Sequence, residues 1–243
     1  MITLSTLNKY KKEGRKFSCL TCYDAMFAKM MQNAEVDTIL IGDSLGMVVQ
    51  GHESTLPVTV EDMVYHTANV ARSNKHALIL ADLPFMSYVT LEDTIANARK
   101  IMQAGAQVIK IEGGAELADK VAALTAAGAP ICVHLGLTPQ SVNVFGGYKV
   151  QGKTEDSAAK LMADVKAVVE AGAAIILLEC VPAALAKQVT EAVNVPVIGI
   201  GAGADTDGQV LVMHDMLGVT HGRVARFVHD FLTDERNQKS EYA

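Results

Sequence analysis

The chain has 243 residues, of which 50% are hydrophobic and 20% are charged, and its formal net charge is −6. This length can bury a large core as one domain, and an acidic chain without a basic patch argues against nucleic acid or a membrane surface as a partner. No apolar segment follows the lysines near the N-terminus, so we expect no signal peptide, four reduced cysteines and a cytoplasmic location.

Taken in chain order, short apolar runs alternate with helical patterns. The runs are apolar on both faces, which is typical of parallel strands covered on both sides. A helix is predicted over 25–34, a loop over 45–58, and further helices after the capping residues Thr59, Thr90 and Thr154. The predicted strands span 18–22, 38–42, 77–81, 108–112, 130–134, 174–179, 195–200 and 209–213.

A weak internal repeat supports this order. The tripeptide Ala-Gly-Ala occurs at 104–106, 127–129 and 171–173, each time between a helix and an apolar strand, and a glycine there is typical of a helix end. Eight strands separated by helices predict an α/β fold of the (β/α)₈ TIM-barrel type, with an open doubly wound sheet as the alternative. We expect a single barrel domain over 1–243 with a polar C-terminal tail from 223.

The strand at 108–112 is apolar except for two charged residues. Because side chains alternate along a strand, Lys110 and Glu112 share one face with Val108, while Ile109 and Ile111 take the other. Charges on a buried face are costly unless they are paired, hydrogen-bonded or bound to a ligand. The sequence therefore predicts that other polar groups converge on this face.

Five polar residues lie at the C-terminal ends of predicted strands. In a barrel these ends surround one mouth, where barrel enzymes carry their chemistry. Each acid could instead cap the following helix, an alternative that suits aspartate better than glutamate, and the histidine could be a hydrogen-bonded core residue. Together the five favour a site: Asp43, Asp82, Glu112, His134 and Glu179.

These residue types indicate a particular chemistry. Three carboxylates, Asp43, Asp82 and Glu112, offer the oxygen ligands that Mg²⁺ prefers. Lys110 could balance their charge or hold a substrate carboxylate, and His134 could donate a hydrogen bond to the same substrate. Glu179 follows four apolar residues, and a carboxylate held against apolar walls can act as a general base.

Three other features are weaker signals. The Cys19–Cys22 spacing is that of a redox or zinc site, but odd spacing in a strand sends the thiols to opposite faces, and no second pair completes a zinc site. Residues 199–203 resemble a phosphate-binding loop, although tight strand-to-helix turns have the same composition. The segment 136–153 is long enough for a functional loop, and we expect it to close over the site.

The motifs extend over most of the chain. In order they are LTCYDA, GDSLGMVVQGHESTLPVT, YHT, LADLPFMSY, AGAQVIKIEGG, HLGLTPQSVNVFGGYKVQG, LLECVP, VPVIGIGAG and TDGQVLVMHDMLG, from about residue 18 to 218. On these motifs the chain resembles the ketopantoate hydroxymethyltransferase family. The resemblance implies a barrel similar to those of phosphoenolpyruvate mutase and isocitrate lyase.

The resemblance also implies an activity. It is the transfer of a hydroxymethyl group from 5,10-methylenetetrahydrofolate to 3-methyl-2-oxobutanoate, which gives 2-dehydropantoate for pantothenate and coenzyme A synthesis. By motif, Asp43, Asp82 and Glu112 resemble the family's Mg²⁺ ligands, direct or through water. The residues that resemble its substrate contacts are Asp43, Ser44, Asp82, Lys110 and His134, and Glu179 resembles its proton acceptor.

The expected mechanism follows from these roles. Mg²⁺ chelated by the keto acid would polarise the ketone, Glu179 would remove the C3 proton, and the metal-stabilised enolate would attack the folate's methylene group. Members of this family are homo-oligomers, often decamers, and usually continue beyond the position of Ala243, so the oligomeric state is left open.

Two other functions are considered. One is a carbon–carbon lyase or mutase with a similar barrel, but those enzymes carry a reactive cysteine in a KKCGH-like loop, which this sequence lacks. The other is a keto-acid-binding module without catalysis, which would have no need of Glu179.

Overall fold

The computed structural model describes residues 1–221 and 224–232. Within them, eight parallel strands close into a barrel in sequence order, β1 to β8, with β8 paired to β1. The predicted (β/α)₈ barrel is therefore confirmed, and the open sheet is wrong. The strands are β1 Phe17–Thr21, β2 Thr38–Ile41, β3 Leu78–Asp82, β4 Val108–Glu112, β5 Ile131–Gly136, β6 Ile175–Glu179, β7 Val197–Ile200 and β8 Gly208–Leu211.

Helices connect the strands and cover the outside of the barrel. They are α1 Leu4–Glu13, α2 Ala25–Asn33, α3 Leu45–Val48, α4 Val60–Ser73, α5 Leu91–Gln103, α6 Ala118–Ala126, α7 Val142–Phe145, α8 Glu155–Glu170, α9 Ala183–Ala192 and α10 Met213–Met216, with 3₁₀ turns at Ala115–Leu117 and Pro139–Ser141. In the part of the chain that the structure describes, no helix is both long and apolar enough to cross a membrane.

The helix starts follow the sequence signals. The hydroxyls of Thr59, Thr90 and Thr154 accept hydrogen bonds from backbone amides in the first turns of α4, α5 and α8. The repeated glycines lie directly after the caps of the preceding helices, with φ of 119° at Gly105 and 108° at Gly172. Glycine adopts this conformation without steric cost, so each helix can turn back into the next strand.

The structure differs from the predicted elements at several points. The predicted loop 45–58 contains the short helix α3. Strand β8 ends at Leu211, because Met213 begins helix α10. The backbone amide of Met213 donates to Thr21 Oγ1 (2.9 Å). In the polar tail, residues 224–230 form irregular chain with a turn. The rest of the predicted tail, 222–223 and 233–243, lies outside the described residues.

Two hydrophobic clusters follow the alternation of side chains. Val108 belongs to the cluster inside the barrel, together with residues of α1, whereas Ile109 and Ile111 pack against the outer helices. The predicted faces of the strand at 108–112 are therefore confirmed, and Lys110 and Glu112 point into the barrel. Cys19 lies in the inner cluster and Cys22 in the outer one, as the odd spacing predicts, and none of the four described thiols forms a disulfide.

Candidate active site

The ends of the strands bring all the predicted site residues to one cavity. Strand register pairs Asp82 with Lys110 and, one layer nearer the mouth, Glu112 with His134. Glu179 ends the next strand, β6. The cavity has a volume of about 570 Å³, and the predicted residues that line it are Asp43, Ser44, Asp82, Lys110, Glu112, His134 and Glu179.

Three carboxylates form the centre of this cavity. Asp43, Asp82 and Glu112 are buried, and one oxygen of each lies within 4.8 Å of the others. Asp82 Oδ2 accepts hydrogen bonds from the Asp43 backbone amide (3.1 Å) and from Lys110 Nζ (2.9 Å). Asp82 Oδ1 is also buried but has no hydrogen-bond partner among the described residues. A buried carboxylate oxygen without a donor fits a cation, so these three residues could hold a metal ion.

Neither aspartate caps a helix through its side chain. Ser44 takes the N-cap position of α3 without a side-chain hydrogen bond to that helix, and its hydroxyl lies 2.8 Å from that of Tyr23. The capping alternative for Asp43 and Asp82 is therefore wrong, because the Asp82 carboxylate bonds to residues of neighbouring strand ends instead.

Lys110 is the cation that faces this carboxylate cluster. Its ammonium lies 2.9 Å from Asp82 Oδ2 and 3.3 Å from Glu112 Oε1. Burial lowers the pKa of Lys110, but the carboxylates of Asp82, Glu112 and Asp43 outweigh burial and hold it well above its usual range. Lys110 is therefore charged at neutral pH and supplies a fixed positive group inside the barrel.

The carboxylates differ in their electrostatic environment. Burial, together with the charges of Glu112 and Asp82, raises the pKa of Asp43 well above its usual range. The pKa of Asp82 is also raised, chiefly by burial, against the opposing effect of Lys110. For Glu112, burial is outweighed by Lys110 and His134, which lower its pKa to about 2. Lys110 and His134 thus compensate Glu112 within the protein, whereas for Asp43 burial and the neighbouring carboxylates outweigh Lys110 and the hydrogen bond from Gln140, so an added cation would favour its anion.

His134 links two carboxylates. Its Nδ1 lies 3.2 Å from Glu112 Oε1, and its Nε2 lies 3.3 Å from Glu179 Oε2 without the alignment of a hydrogen bond. Burial lowers the pKa of His134, but Glu112 outweighs burial and raises it to about 9. His134 is therefore buried, as the core alternative predicts, and yet it faces the cavity beside Glu179.

Glu179 lies at the rim, with its side chain 17% exposed. Gly136 makes its position possible: it has φ of 89°, and a Cβ there would lie 2.4 Å from the Glu179 carbonyl oxygen. The ends of β5 and β6 therefore approach closely enough for Leu137 to donate its backbone amide to that carbonyl (2.8 Å). Of the predicted site residues, Glu179 is the carboxylate that remains accessible from the open part of the cavity.

Sequence reasoning missed Gln140, which contacts the carboxylates, and Tyr88, which contacts Gln140. Gln140 donates hydrogen bonds to Asp43 Oδ2 (2.8 Å) and, from its backbone, to Glu112 Oε2 (3.0 Å). The Tyr88 hydroxyl donates to Gln140 Oε1 (2.6 Å). Both residues lie in segments between strands, and their long side chains reach the site from there. A pattern of polar residues at strand ends could therefore not identify them. For Gln140, the signal that was available is the length of the 136–153 segment.

The glycine-rich turn 199–203 is explained by packing. A Cβ at Gly203 would lie 2.5 Å from that of Ala183, and one at Gly201 would lie 2.6 Å from Phe227. Small residues are therefore required there by neighbouring side chains, which supports the tight-turn interpretation.

Comparisons with known proteins agree with this geometry. The family model described as ketopantoate hydroxymethyltransferase matches residues 1–242. A protein of Psychrobacter sp. (strain PRwf-1), named 3-methyl-2-oxobutanoate hydroxymethyltransferase, is 88% identical over 243 residues, which are 100% of this chain and 90% of that protein.

Among solved structures, a phosphonopyruvate hydrolase in complex with oxalate and Mg²⁺ matches with a TM-score of 0.69 at 15% identity, over 100% of this chain and 99% of the other. A 2,3-dimethylmalate lyase, a member of the phosphoenolpyruvate mutase and isocitrate lyase superfamily, matches with a TM-score of 0.63 at 14% identity, over 99% and 88% of the two chains. These similarities confirm the predicted type of barrel.

Proposed function

Because this chain belongs to the ketopantoate hydroxymethyltransferase family and is therefore a transferase, we propose that it converts 3-methyl-2-oxobutanoate into 2-dehydropantoate in the pantothenate pathway. The hydroxymethyl group comes from 5,10-methylenetetrahydrofolate as co-substrate. The observation that carries the proposal is the convergence of three buried carboxylates, Lys110 and Glu179 on one cavity.

Asp43, Asp82 and Glu112 are assigned as the residues that hold Mg²⁺. The buried, unpartnered Oδ1 of Asp82 and the raised pKa of Asp43, caused first by burial, both fit a cation between these side chains. When bound, Mg²⁺ supplies Lewis-acid polarisation of the substrate's ketone. Glu112 accepts hydrogen bonds at both of its oxygens, which supports a contact through water.

The keto acid is assigned to Asp43, Ser44, Asp82, Lys110 and His134. The ammonium of Lys110 offers a fixed positive charge for the negative charge that develops on the substrate when its C3 proton is removed. The Ser44 hydroxyl, oriented by Tyr23 at 2.8 Å, can donate a hydrogen bond to a substrate oxygen. Holding the substrate between these groups replaces a random encounter with a fixed geometry.

Glu179 is assigned as the proton acceptor. Its Oε2 lies 3.3 Å from His134 Nε2, and its partial exposure leaves the carboxylate accessible to a C–H bond of a substrate in the cavity. The proton moves from C3 of the keto acid to a carboxylate oxygen of Glu179, and the resulting carbon nucleophile attacks the methylene carbon of 5,10-methylenetetrahydrofolate. The two C–N bonds of that methylene group break, water supplies the hydroxyl oxygen, and tetrahydrofolate leaves.

The segment 136–153 is proposed to close over the bound substrates. Pro139 and Tyr148 from this segment line the same cavity as the carboxylates. The Tyr148 hydroxyl lies 3.8 Å from Met47 Sδ on α3, across the mouth. Proteolysis within 136–153 should slow when keto acid and Mg²⁺ are added, and unchanged cleavage would contradict this role.

We propose a single barrel domain with a polar tail that assembles into a homo-oligomer, with a decamer as the expected form. Exposed apolar side chains on two adjacent helices, Met26 and Met30 of α2 and Tyr65 of α4, support assembly. A cytoplasmic location is supported by the free thiols. Light scattering after size-exclusion chromatography measures the assembly directly.

The proposed reaction is tested by a direct assay. The purified chain is incubated with 3-methyl-2-oxobutanoate, 5,10-methylenetetrahydrofolate and Mg²⁺, and 2-dehydropantoate is quantified by mass spectrometry. We expect product formation that stops when EDTA is added and resumes with excess Mg²⁺. If the keto acid is cleaved instead, or if it binds without turnover, the lyase or the binding-module alternative is correct.

A further inference from the structure

Gln140 contacts two of the three carboxylates of the cluster. Its side-chain amide donates to Asp43 Oδ2 (2.8 Å) and to the backbone carbonyl of Leu83 (3.0 Å). Its backbone amide donates to Glu112 Oε2 (3.0 Å). A carboxamide has two N–H donors. One N–H of Gln140 bonds to Asp43 and the other to Leu83, so both donors of this side chain are used.

The orientation of the amide is determined by its neighbours. The Tyr88 hydroxyl donates to Gln140 Oε1 (2.6 Å), and the same hydroxyl oxygen lies 3.4 Å from the Glu112 backbone nitrogen. A flipped amide would place its oxygen against a carboxylate and a carbonyl, which are both acceptors, and would leave the Tyr88 hydroxyl only the more distant backbone carbonyl of Glu112 (3.1 Å) as an acceptor. Tyr88 therefore holds the N–H groups of Gln140 toward Asp43.

The position of Gln140 bridges three adjacent strands. Asp43 follows β2 and Glu112 ends β4, with Asp82 at the end of β3 between them. Asp82 is held by Lys110 and by the Asp43 amide. Gln140 orients the two outer carboxylates, and it comes from the 3₁₀ turn Pro139–Ser141 of the 136–153 segment rather than from a strand.

From these contacts we propose that Gln140 is a positioning residue that orients Asp43 and Glu112 for a divalent cation, and that it thereby couples cation affinity to the seating of the segment 136–153. The inference rests on the proposed metal role of the carboxylates. Groups that orient metal ligands typically change metal affinity by about 10–100-fold when they are removed. Because coupling is reciprocal, the cation should in turn stabilise the segment.

The first test measures cation binding without substrate. Free Mn²⁺ is counted by electron paramagnetic resonance with the parent protein and with Gln140→Met, which keeps side-chain length and the backbone contact to Glu112 but removes the amide. We expect the Kd for Mn²⁺ to rise by about 10–100-fold. The matched control is Gln151→Met in the same segment, because the Gln151 amide donates to the Lys149 carbonyl (2.9 Å) and not to a carboxylate, so its Kd should be unchanged.

A second measurement separates positioning from general stability. Hydrogen exchange in 136–153 should slow when Mg²⁺ is added to the parent, and it should slow less in Gln140→Met at a Mg²⁺ concentration that saturates the variant. If Gln140→Met does not fold, Tyr88→Phe removes the hydroxyl that orients the amide and should raise the Kd for Mn²⁺ in the same direction by a smaller factor.

The outcomes distinguish this inference from the proposed function. Mn²⁺ bound equally tightly by the parent and by the folded Gln140→Met or Tyr88→Phe variant would overturn the role of Gln140 alone. A parent that binds no Mn²⁺ would overturn the metal assignment of the proposed function, and the inference with it.

Discussion

The barrel has a lysine–carboxylate pair at each end, and the two pairs have different surroundings. At the closed end, where the strands begin and α1 covers the barrel, Lys11 of α1 lies 2.7 Å from Asp207 Oδ2 and donates to the Thr190 carbonyl (2.9 Å). Asp207 Oδ2 also accepts a hydrogen bond from the Val197 backbone amide (2.8 Å). At the open end, Lys110 faces Asp82 and Glu112, with Asp43 beside them.

The difference lies in the balance of charge and partners. At the closed end, one lysine faces one carboxylate. Both groups also form hydrogen bonds with backbone groups, and these contacts hold α1 against the barrel. The open end has four carboxylates around Lys110 and His134, those of Asp43, Asp82, Glu112 and Glu179. One of the buried oxygens there, Asp82 Oδ1, has no partner among the described residues. A buried ion pair alone therefore does not mark a functional site. We expect a site where a buried acceptor lacks a partner, because a cation can supply the missing partner.

The largest effect is expected from Glu179→Gln at the open end. The variant should still bind the keto acid, because Lys110 and Ser44 are unchanged, but it should lose proton abstraction. General acid–base catalysis typically contributes about 10²–10⁴-fold, so exchange of the C3 proton in deuterated water should slow by that factor. Exchange of the C3 proton at the parent rate would show that Glu179 is not the proton acceptor. Glu191→Gln, on the exposed side of α9, is the control and should exchange normally.

The next effect concerns the dependence of stability on Mg²⁺. At a Mg²⁺ concentration 100 times its Kd, the parent should gain about 2.7 kcal/mol in its free energy of unfolding. Asp82→Asn should weaken the Mg²⁺-dependent activity and lose most of this gain, because the variant lacks the charge that attracts the cation. Urea unfolding with and without Mg²⁺ measures the gain. An unaltered Mg²⁺ dependence in Asp82→Asn would refute the metal assignment.

At the closed end, Lys11→Met should show the opposite pattern. Removing hydrogen bonds of a charged group typically costs about 2 kcal/mol, so the free energy of unfolding should fall in the absence of metal. The Kd for Mn²⁺ should stay at the parent value, since the pair is remote from the carboxylate cluster. A higher Kd for Mn²⁺ in folded Lys11→Met would show that the pair at the closed end also affects cation binding, which contradicts the difference proposed between the two ends.

A further effect is a dependence of stability on pH in metal-free protein. The pKa of His134 in the folded state is raised from 6.5 to about 9, because Glu112 outweighs burial. A raised pKa means that the stabilisation is fully present below about pH 6.5 and is lost as pH rises through about 9. The free energy of unfolding should therefore decrease across this window.

His134→Gln should flatten the part of the curve that His134 contributes. The control is His76→Gln at the closed end, where the Ile2 backbone amide donates to the His76 carbonyl (2.7 Å), a bond that survives the substitution. This variant should keep the slope of the parent. Equal slopes for the parent and His134→Gln would show that the His134–Glu112 pair does not contribute to stability in this range.

Much of the fold could be predicted because its signals are local. Apolar runs fall within one or two residues of the observed strand ends, the threonine caps begin α4, α5 and α8, and the repeated glycines end the preceding helices. The short helix α3 was missed because four residues are too few to establish a helical period.

The sequence by itself determined the barrel and the strand-end residues. A side chain's position along a strand decides both its face and its end of the barrel, so Asp82, Lys110, Glu112, His134 and Glu179 could be brought together from their order alone. Tertiary structure decided which of these charges are compensated and which remain without a partner. It also brought Gln140 to the carboxylates, Tyr88 to Gln140 and Lys11 to Asp207, because those contacts join residues far apart in the chain.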